Sequence, residues 1–276
     1  MPELPEVNLV VDHLGRLVTG REILSSALFR ERLAPHDTPE RFASELSGVS
    51  IEAVTRRGKF IVFTLSGGKF LLTHLRMSGR FALLPNEMPD PKFTHAVFYL
   101  NGDEKLVFQD QRHFGLMRVV GDGGYESLPE VAKLAPEPFS ADFSVKYLRA
   151  KMAASRLPIK QFLLDQTKVC GLGNIYAAES LYHSRINPEL AANAVSTRKI
   201  SQLHQAIISV LETAIGHASR VEVDASNIGG NFYGDDADGD WSVYAREGVE
   251  CGRCGKPIAR IAQGGRSTYY CPRCQR

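Results

Sequence analysis

Four of the five cysteines could hold a metal ion, because they form two Cys-x2-Cys pairs near the end of the chain. The pairs are Cys251 with Cys254 and Cys271 with Cys274, and sixteen residues separate them. Four thiolates at this spacing are typical of one structural zinc ion, which leaves no coordination position open for water. A disulfide pair and a redox-active Cys-x-x-Cys motif are the alternatives. Zinc is favoured, because so short a segment needs metal to close it.

The first residues could carry nucleophilic and acid–base chemistry. If Met1 is removed, Pro2 becomes a secondary α-amine, and because α-amines titrate near ~8, part of the population is neutral and nucleophilic at physiological pH. Glu3 and Glu6 are three residues apart in MPELPEV and share one side of a helical first turn, where one could act as a general acid. The alternative is that Pro and Glu are simply favourable at a helix start.

A third candidate is Asn174, which follows the turn sequence CGLG and opens the helical stretch IYAAESLY. This position predicts a helix N-cap, and the free amides of such a helix end can bind phosphate. An ordinary cap without phosphate is the alternative. Cys170 stands apart from the other cysteines, and we expect it to be a buried, small apolar residue.

The 276-residue chain has a formal net charge of +2, and its positive charge is concentrated at one end. Residues 251–276 contain six basic side chains and no acidic one, so the remainder has 27 basic against 31 acidic residues. Such a tail is a candidate phosphate-binding surface, and a solvated charged end is the alternative. Hydrophobic residues make up 43% of the chain, which excludes wholesale disorder. The apolar stretches are all shorter than the ~18 residues of a membrane span.

The spacing of apolar residues predicts the helices and strands that position these candidates, and this spacing changes along the chain. Residues 2–18 predict an amphipathic helix, and short β-rich runs with turn signals from 49 to 120 indicate an antiparallel sandwich or barrel. Helical periodicity dominates later, most clearly over 196–218. We expect a β domain over 1–122, a Gly- and Pro-rich linker over 123–142, a helical domain over 143–246 that includes a polar loop at 225–246, and a zinc finger over 247–276.

Six motifs are spread over the whole chain. They are MPELPEV at the start, RRGKF at 56–60, THLRMSGR at 73–80, FQDQRHFG at 108–115, LLDQTKVCGLGNIYAAESL at 163–181 and GGRSTYYCPRCQ at 264–275. In their order and content the chain resembles the bacterial formamidopyrimidine-DNA glycosylases from end to end. ELPEV and RHFG favour this branch over the endonuclease VIII branch. The resemblance implies an α+β fold with an N-terminal helix, an antiparallel β-sandwich, a helix-two-turn-helix DNA-binding domain and a zinc finger.

The resemblance also implies a bifunctional DNA glycosylase and abasic-site lyase of base excision repair. In that family an N-terminal proline attacks the sugar C1′ and forms a Schiff base that undergoes β,δ-elimination, and Pro2 takes this place. Glu3 matches the general acid, and Glu6 would help to arrange the same pocket. Lys59 matches a lysine that contacts phosphate and assists elimination. Arg266 matches the zinc-finger arginine that holds the phosphates beside the lesion.

Seven further residues match family positions that contact DNA. A base must be flipped out of the duplex before it can be excised, and side chains that fill the vacated space offset part of the cost. The three residues that match this void-filling role are Met77, Arg112 and Phe114. The four that match contacts to the DNA backbone are His74, His95, Arg156 and Asn174. Taken singly, Met77 and Phe114 would be assigned to the core of strands.

The chain departs from the family pattern at three places. Thr94 stands where an acidic residue is usual, and His113 stands where a second Arg or Lys is usual. The loop at 225–246 lacks the usual Thr-Leu-Arg run and carries four acids between 235 and 240. Because acidic side chains repel phosphate, we expect this loop to hold an everted 8-oxoguanine weakly, which leaves ring-opened purines and other oxidised bases as the relatively better substrates. The alternative is that backbone amides around Gly229 and Gly230 replace the missing contacts while the acids face solvent.

The expected partner is double-stranded DNA that contains oxidised bases or abasic sites, and the expected state is a monomer in the cytoplasm, associated with the nucleoid. One alternative is a non-catalytic protein of the same fold that binds damaged DNA. The presence of Pro2, Glu3 and Lys59 together argues against this alternative, because a protein that only binds DNA does not require all three. A zinc-ribbon adaptor for nucleic acid is another alternative, and it explains the basic tail but not the N-terminal motif.

Overall fold

The computed structural model describes residues 2–121, 123–228 and 241–276. The chain divides into two compact units, of which the first is Met1–Ala132 with His217–Phe232 and the second is Lys133–Gly216 with Tyr233–Arg276. Among the described residues, none of the helices combines the length and the apolar character that crossing a bilayer requires.

The first unit opens with helix α1, Leu4–Val18, followed later by helix α2, Pro39–Leu46. Apolar residues of α1 recur at helical spacing, so that Val10, Leu14 and Val18 are fully buried in the core of this unit. Helix α1 packs against two strands of the sheet, Val49–Arg57 and Phe60–Leu65. Helix α2 was not predicted from the sequence.

Eight antiparallel strands form the sheet of the first unit. They are β1 (Glu22–Leu28), β2 (Val49–Arg57), β3 (Phe60–Leu65), β4 (Lys69–His74), β5 (Gly79–Pro85), β6 (Thr94–Leu100), β7 (Glu104–Asp110) and β8 (Leu116–Val120). Their order among the described residues is β5-β7-β6-β1-β2-β3-β4-β8. The strands β5-β7-β6-β1 form one layer and β2-β3-β4-β8 form the other. Strands β1 and β2 pair at two positions, where the two layers are joined. Phe63 of β3 and Phe81 of β5 meet across the layers at 5.7 Å between ring centroids, which confirms the predicted sandwich.

The seven β-rich runs predicted between 49 and 120 are all strands, and β1 is the one that was missed. Its sequence EILSSAL places two adjacent serines in the middle, and a register shift between Ile23 and Ser25 interrupts its pairing with β6. Because the bulge breaks the alternation of apolar and polar residues, the run carries a weak strand signal. Its place between β6 and β2 is nevertheless central.

The second unit contains helices and a small hairpin, after a short helix α3 (Pro129–Ala132) at the end of the first unit. The elements of the second unit are α4 (Val145–Ala153), α5 (Ile159–Leu164), α6 (Asn174–His183), α7 (Thr197–Ala218, of which the last two residues are counted in the first unit), β9 (Ala259–Gln263) and β10 (Arg266–Tyr270). Helix α7 confirms the periodicity predicted over 196–218 and buries Ile200, Leu203, Ile207 and Leu211. Helix α6 contacts both α5 and β10.

Candidate active site and nucleic-acid interface

Pro2 directly precedes helix α1 and is buried, and the two carboxylates beside it are buried as well. Glu3 is 2% exposed and Glu6 is 5% exposed. Glu3 is the N-cap of α1 and forms a capping box with Glu6, whose Oε2 accepts the backbone N–H of Glu3 at 2.7 Å. The helix therefore begins at Leu4, two residues later than predicted. Glu6 fixes the backbone of the residue next to Pro2.

Lys59 lies in the two-residue turn that joins β2 to β3. Arg57 and Phe60 pair across this turn, and Gly58 has a φ of 58°, a left-handed value that glycine adopts without strain. Arg56 donates from Nη1 to the carbonyl oxygen of Gly58 at 2.9 Å. Lys59 is only 6% exposed. The turn thus holds a buried ammonium group at the end of the hairpin on which α1 packs.

His74 ends β4 and lies opposite Phe60 of β3, with the two rings edge to face at 4.9 Å. Its Nδ1 accepts the backbone N–H of Arg76 at 3.0 Å, so the ring proton is on Nε2. Burial, and then the positive charges of Arg76 and Lys59, lower the pKa of His74 to about 3. At physiological pH this residue is therefore a neutral hydrogen-bond donor and not a cation.

Two neighbouring loops of the first unit expose the three side chains that the resemblance assigns to void filling. Met77 lies between β4 and β5 and is 42% exposed, and Phe114 lies between β7 and β8 and is 45% exposed. Arg112 shares the second loop, and its Cζ lies 5.4 Å from the centre of the Phe114 ring. Met77 and Phe114 are thus loop residues in solvent and not members of the strand core.

A buried carboxylate joins these two loops. Asp110 is fully buried and accepts the backbone N–H groups of Arg112 at 3.2 Å, Phe114 at 2.7 Å and Gly115 at 2.6 Å. The hydroxyl of Ser78, from the other loop, donates to Asp110 and accepts the N–H of Arg112 at 3.0 Å. Burial raises the pKa of Asp110, but these hydrogen bonds outweigh it and hold the pKa below its usual value of 3.8. Asp110 was not predicted as a functional residue from the sequence, although it lies within FQDQRHFG.

Two glycines let both loops approach the ring of Phe108. A Cβ on Gly79 would lie 2.5 Å from the carbonyl oxygen of Leu75 and 2.9 Å from the Phe108 ring. A Cβ on Gly115 would lie 2.9 Å from the same ring and 3.2 Å from Asp110 Oδ2. The contacts under 3.0 Å at each of the two positions are too short for a Cβ, which explains the glycines of the two motifs, MSGR and RHFG.

His95 of β6 contacts His113, one of the residues at which the chain departs from the family pattern. Their rings stack at 4.9 Å and 8°, and His113 Nδ1 lies 2.9 Å from His95 Nε2, so one nitrogen donates to the other. His95 is 4% exposed, and burial, followed by the charge of His113, lowers the pKa of His95. Because His113 sits in the loop of Arg112 and Phe114, this hydrogen bond ties β6 to that loop.

In the second unit, Arg266 is exposed at the start of β10. A two-residue turn of Gly264 and Gly265 joins it to Gln263, the residue with which it pairs. The glycines have φ values of 59° and 73°. A type I′ turn requires positive φ at both central residues, so the Gly-Gly pair specifies this hairpin.

Asn174 and Arg156 also lie in the second unit. Asn174 Nδ2 donates to the carbonyl oxygen of Ser267 at 3.0 Å, and within the described residues its buried Oδ1 has no hydrogen-bond partner. The prediction of Asn174 as an N-cap is wrong: Gly173 is the N-cap of α6, because the Asn174 side chain reaches the hairpin and not its own helix amides. Arg156 is exposed between α4 and α5.

The four cysteines of the finger form one cluster that fits zinc. Their sulfur atoms lie within 4.8 Å of one another, with 3.5 Å between Cys254 and Cys271 and 4.0 Å between Cys251 and Cys274. Tetrahedral coordination at about 2.3 Å from zinc to sulfur separates the sulfurs by about 3.8 Å. The finger therefore holds one structural zinc ion. Cys170 is fully buried, as expected.

The polar loop at 225–246 is described only at its two ends. Residues 229–240, which include the four acids, lie outside the described residues. In the first unit, Ile228 forms a β-bridge with Phe81. In the second unit, Trp241 packs edge-on against Tyr176 at 5.6 Å. Buried Glu179, which was not predicted from the sequence, accepts the backbone N–H groups of residues 242–244, each at 2.9 Å.

Comparisons with known protein families match nearly the whole chain. A model described as the formamidopyrimidine-DNA glycosylase N-terminal domain matches residues 1–117, and one described as the formamidopyrimidine-DNA glycosylase H2TH domain matches residues 134–224. A third, described as a zinc finger found in FPG and IleRS, matches residues 248–276.

Whole proteins and solved structures match over the same length. The formamidopyrimidine-DNA glycosylases of Desulforamulus reducens and Lactiplantibacillus plantarum are 39% and 37% identical, over 100% of this chain and 99% and 100% of their own. A structure of Lactococcus lactis Fpg with abasic-site DNA is 34% identical, with a TM-score of 0.89 over 99% of both chains. A mutant of that protein with Fapy-dG containing DNA has a TM-score of 0.90 at 34% identity over 100% of both.

Proposed function

The chain belongs to the formamidopyrimidine-DNA glycosylase family, and on this premise we propose that Pro2, Glu3 and Lys59 carry its chemistry. It is a DNA glycosylase of base excision repair and also an abasic-site lyase. One observation supports the residue assignment most directly. Pro2 and Glu3 are buried at the start of α1, and Glu6 holds the Glu3 backbone in place.

In the proposed reaction, Pro2 is the nucleophile. With Met1 removed, its secondary amine attacks C1′ of the damaged nucleotide, and the bond from C1′ to the base breaks with its electron pair going to the base. The amine then gives up its proton, and the sugar ring opens at O4′, which Glu3 protonates as the general acid. The resulting iminium nitrogen has no proton left to lose, so it keeps its positive charge.

This charge drives the cleavage of the strand. The iminium withdraws electrons from C2′, so a proton leaves C2′ and the bond from C3′ to its phosphate oxygen breaks. In a second elimination a proton leaves C4′ and the bond from C5′ to its phosphate oxygen breaks, which completes β,δ-elimination. Lys59 would contact phosphate and assist these steps, and its buried position at the turn of the β2–β3 hairpin limits how far its ammonium group can move.

The two joined loops of the first unit suit the step in which a base is everted. Met77 and Phe114 are exposed apolar side chains that can wedge into the stack, and Arg112 has donors for the orphaned partner base. Unstacking costs a few kcal/mol, which such wedges help to offset. The carboxylate of Asp110 accepts hydrogen bonds from backbone N–H groups of the second loop, so the shape of that loop does not depend on DNA contacts.

The remaining predicted residues would hold the DNA backbone. His74 offers a neutral N–H donor, while the exposed arginines offer charge-assisted bonds to phosphate. The residues assigned to this role are His74, His95, Arg156, Asn174 and Arg266. The partner is double-stranded DNA with oxidised bases or abasic sites. The enzyme acts on it as a monomer in the cytoplasm, in association with the nucleoid.

The proposed lesion preference follows from the sequence of the loop at 225–246. Its four acids and its lack of a Thr-Leu-Arg run weaken the hold on an everted 8-oxoguanine, so formamidopyrimidines are excised faster. Single-turnover excision of both lesions opposite cytosine tests this. Equal rates, together with a deletion of residues 229–240 that slows only 8-oxoguanine, would show that the loop caps that base.

Trapping with borohydride on an abasic-site duplex tests the catalytic assignment. Wild-type protein should form a covalent adduct with DNA, and a protein that only binds damage should form none. Pro2→Gly should trap more slowly, and Glu3→Gln should excise a damaged base about a hundredfold more slowly, as expected for the loss of a general acid. Glu52→Gln, on an exposed position of β2, is the matched control. Unchanged trapping in Pro2→Gly would remove Pro2 from its role.

A further inference from the structure

A tyrosine hydroxyl lies against one of the zinc-binding sulfurs. Tyr182 of α6 places its Oη 3.4 Å from Cys251 Sγ, and the two residues are 4% and 2% exposed. When zinc is bound, Cys251 is a thiolate, which has no proton to donate. The phenol, in contrast, carries its proton at neutral pH. Tyr182 must therefore be the donor and Cys251 the acceptor.

A hydrogen-bond donor to the sulfur stabilises a zinc site of this kind. Four thiolates around Zn²⁺ leave a net charge of about −2, and burying charge without hydrogen bonds is unfavourable. The sulfurs of Cys251 and Cys271 lie in an apolar cluster with Val243 and Ile258. The backbone N–H of Cys274 reaches Cys271 Sγ at 3.4 Å. The hydroxyl of Tyr182 supplies a side-chain donor to Cys251.

The ring of Tyr182 is held in place from its other side. The guanidinium carbon of Arg253 lies 4.0 Å from the ring centre. Its Nη1 donates to the carbonyl oxygen of Tyr182 at 2.7 Å, and its Nη2 lies 3.2 Å from His183 Nδ1. A cation over the ring draws electron density from it, which strengthens the hydroxyl as a donor. These contacts fix the orientation of the ring, which keeps the hydroxyl directed at the sulfur of Cys251.

We propose that Tyr182 is a positioning residue for the zinc site, whose hydroxyl holds the Cys251 thiolate on the metal and slows the release of zinc. Groups that hydrogen-bond to metal ligands commonly change metal affinity by about 10–100-fold. Arg266 lies in the hairpin that leads to Cys271, so zinc retention also keeps that arginine in place. This last link to DNA binding rests on the role proposed above for Arg266.

Zinc transfer from the full-length, zinc-loaded protein to the chelator 4-(2-pyridylazo)resorcinol tests the proposal. Tyr182→Phe keeps the ring and removes the hydroxyl, and it should release zinc about tenfold faster than wild type. Tyr269→Phe is the matched control, because that ring packs in the same cluster. A wild-type release rate in Tyr182→Phe would overturn the proposal, and so would an equal acceleration in Tyr269→Phe.

A spectroscopic measurement separates the hydrogen bond from general loosening of the finger. With Co²⁺ in place of zinc, the sulfur-to-cobalt charge-transfer band reports the energy of the sulfur lone pairs. Loss of a hydrogen bond raises that energy, so the band should move to longer wavelength in Tyr182→Phe and stay in place in Tyr269→Phe. A band that does not move in Tyr182→Phe would show that the hydroxyl does not act on the thiolate.

Discussion

Replacing Asp110 with asparagine should loosen the loop that carries Arg112 and Phe114 while the sheet stays folded. The carboxylate is fully buried and accepts from three backbone N–H groups and from the hydroxyl of Ser78. Oδ2 serves Phe114 and Gly115, and Oδ1 serves Arg112 and Ser78. These bonds join two loops that are 32 residues apart along the chain.

The magnitude follows from what an amide can replace. Its single oxygen fits best at the Oδ2 position, between Phe114 and Gly115, so its NH2 group faces Ser78 and the N–H of Arg112. The hydroxyl of Ser78 can rotate to accept from this NH2 group, and its oxygen still accepts the N–H of Arg112 at 3.0 Å, but both Ser78 and Arg112 lose their bond to the carboxylate. A hydrogen bond to a charged acceptor contributes about 1.5–3 kcal/mol and a neutral one about 0.5–1.5 kcal/mol, so the substitution removes two charge-assisted bonds and weakens the two from Phe114 and Gly115. We expect Asp110→Asn to lower the free energy of unfolding by about 2–4 kcal/mol.

Two assays check this prediction. Urea denaturation measures the stability, and single-turnover excision from a damaged duplex measures the function. Excision should slow more than cleavage of an abasic site in single-stranded DNA, because that substrate has no base to evert and no partner base to support. Asp103→Asn, in the exposed turn between β6 and β7, is the matched control. Wild-type stability together with wild-type excision in Asp110→Asn would refute the reasoning.

Cys271→Ser should lose zinc and bind duplex DNA more weakly, because the finger is too small to fold without metal; metal analysis and a binding titration check this, and full zinc content with wild-type affinity would contradict it. Duplex binding should weaken steeply with salt, since each neutralised phosphate releases counterions, and a log-log slope near zero would count against this. Arg112→Ala should slow base eversion more than it weakens binding to undamaged DNA, whereas equal losses on both DNAs would contradict its role. The pKa of His74 falls from 6.5 in the unfolded chain to about 3 in the folded one, so the unfolded chain binds more protons and stability should decrease as the pH drops from 6.5 toward 3. The urea midpoint of His74→Gln should therefore fall less than that of wild type between pH 7 and pH 5, and parallel curves would show that His74 does not contribute.

Several features could be predicted from the sequence because they depend on neighbours along the chain. The spacing of Cys251, Cys254, Cys271 and Cys274 requires only two tight turns that face each other, and the sulfur distances confirm the site. The seven β-rich runs carry their alternation locally, and the apolar period of α1 and α7 likewise lies within each helix. The resemblance of six ordered motifs to one family added the activity, which the family comparisons confirm.

Other features were decided only by the tertiary structure. In the sequence, Asp110 is an ordinary polar residue at the end of a strand. Its role depends on the fold, which brings Ser78, 32 residues away in the chain, into hydrogen-bond contact with it. The pairing of His95 with His113 depends in the same way on where a strand and a loop meet. Exposure of Met77 and Phe114 is equally non-local, because an apolar residue in a β-rich run faces either core or solvent according to where its strand ends. Periodicity encodes which residues share a face, and only the path of the chain determines what that face meets.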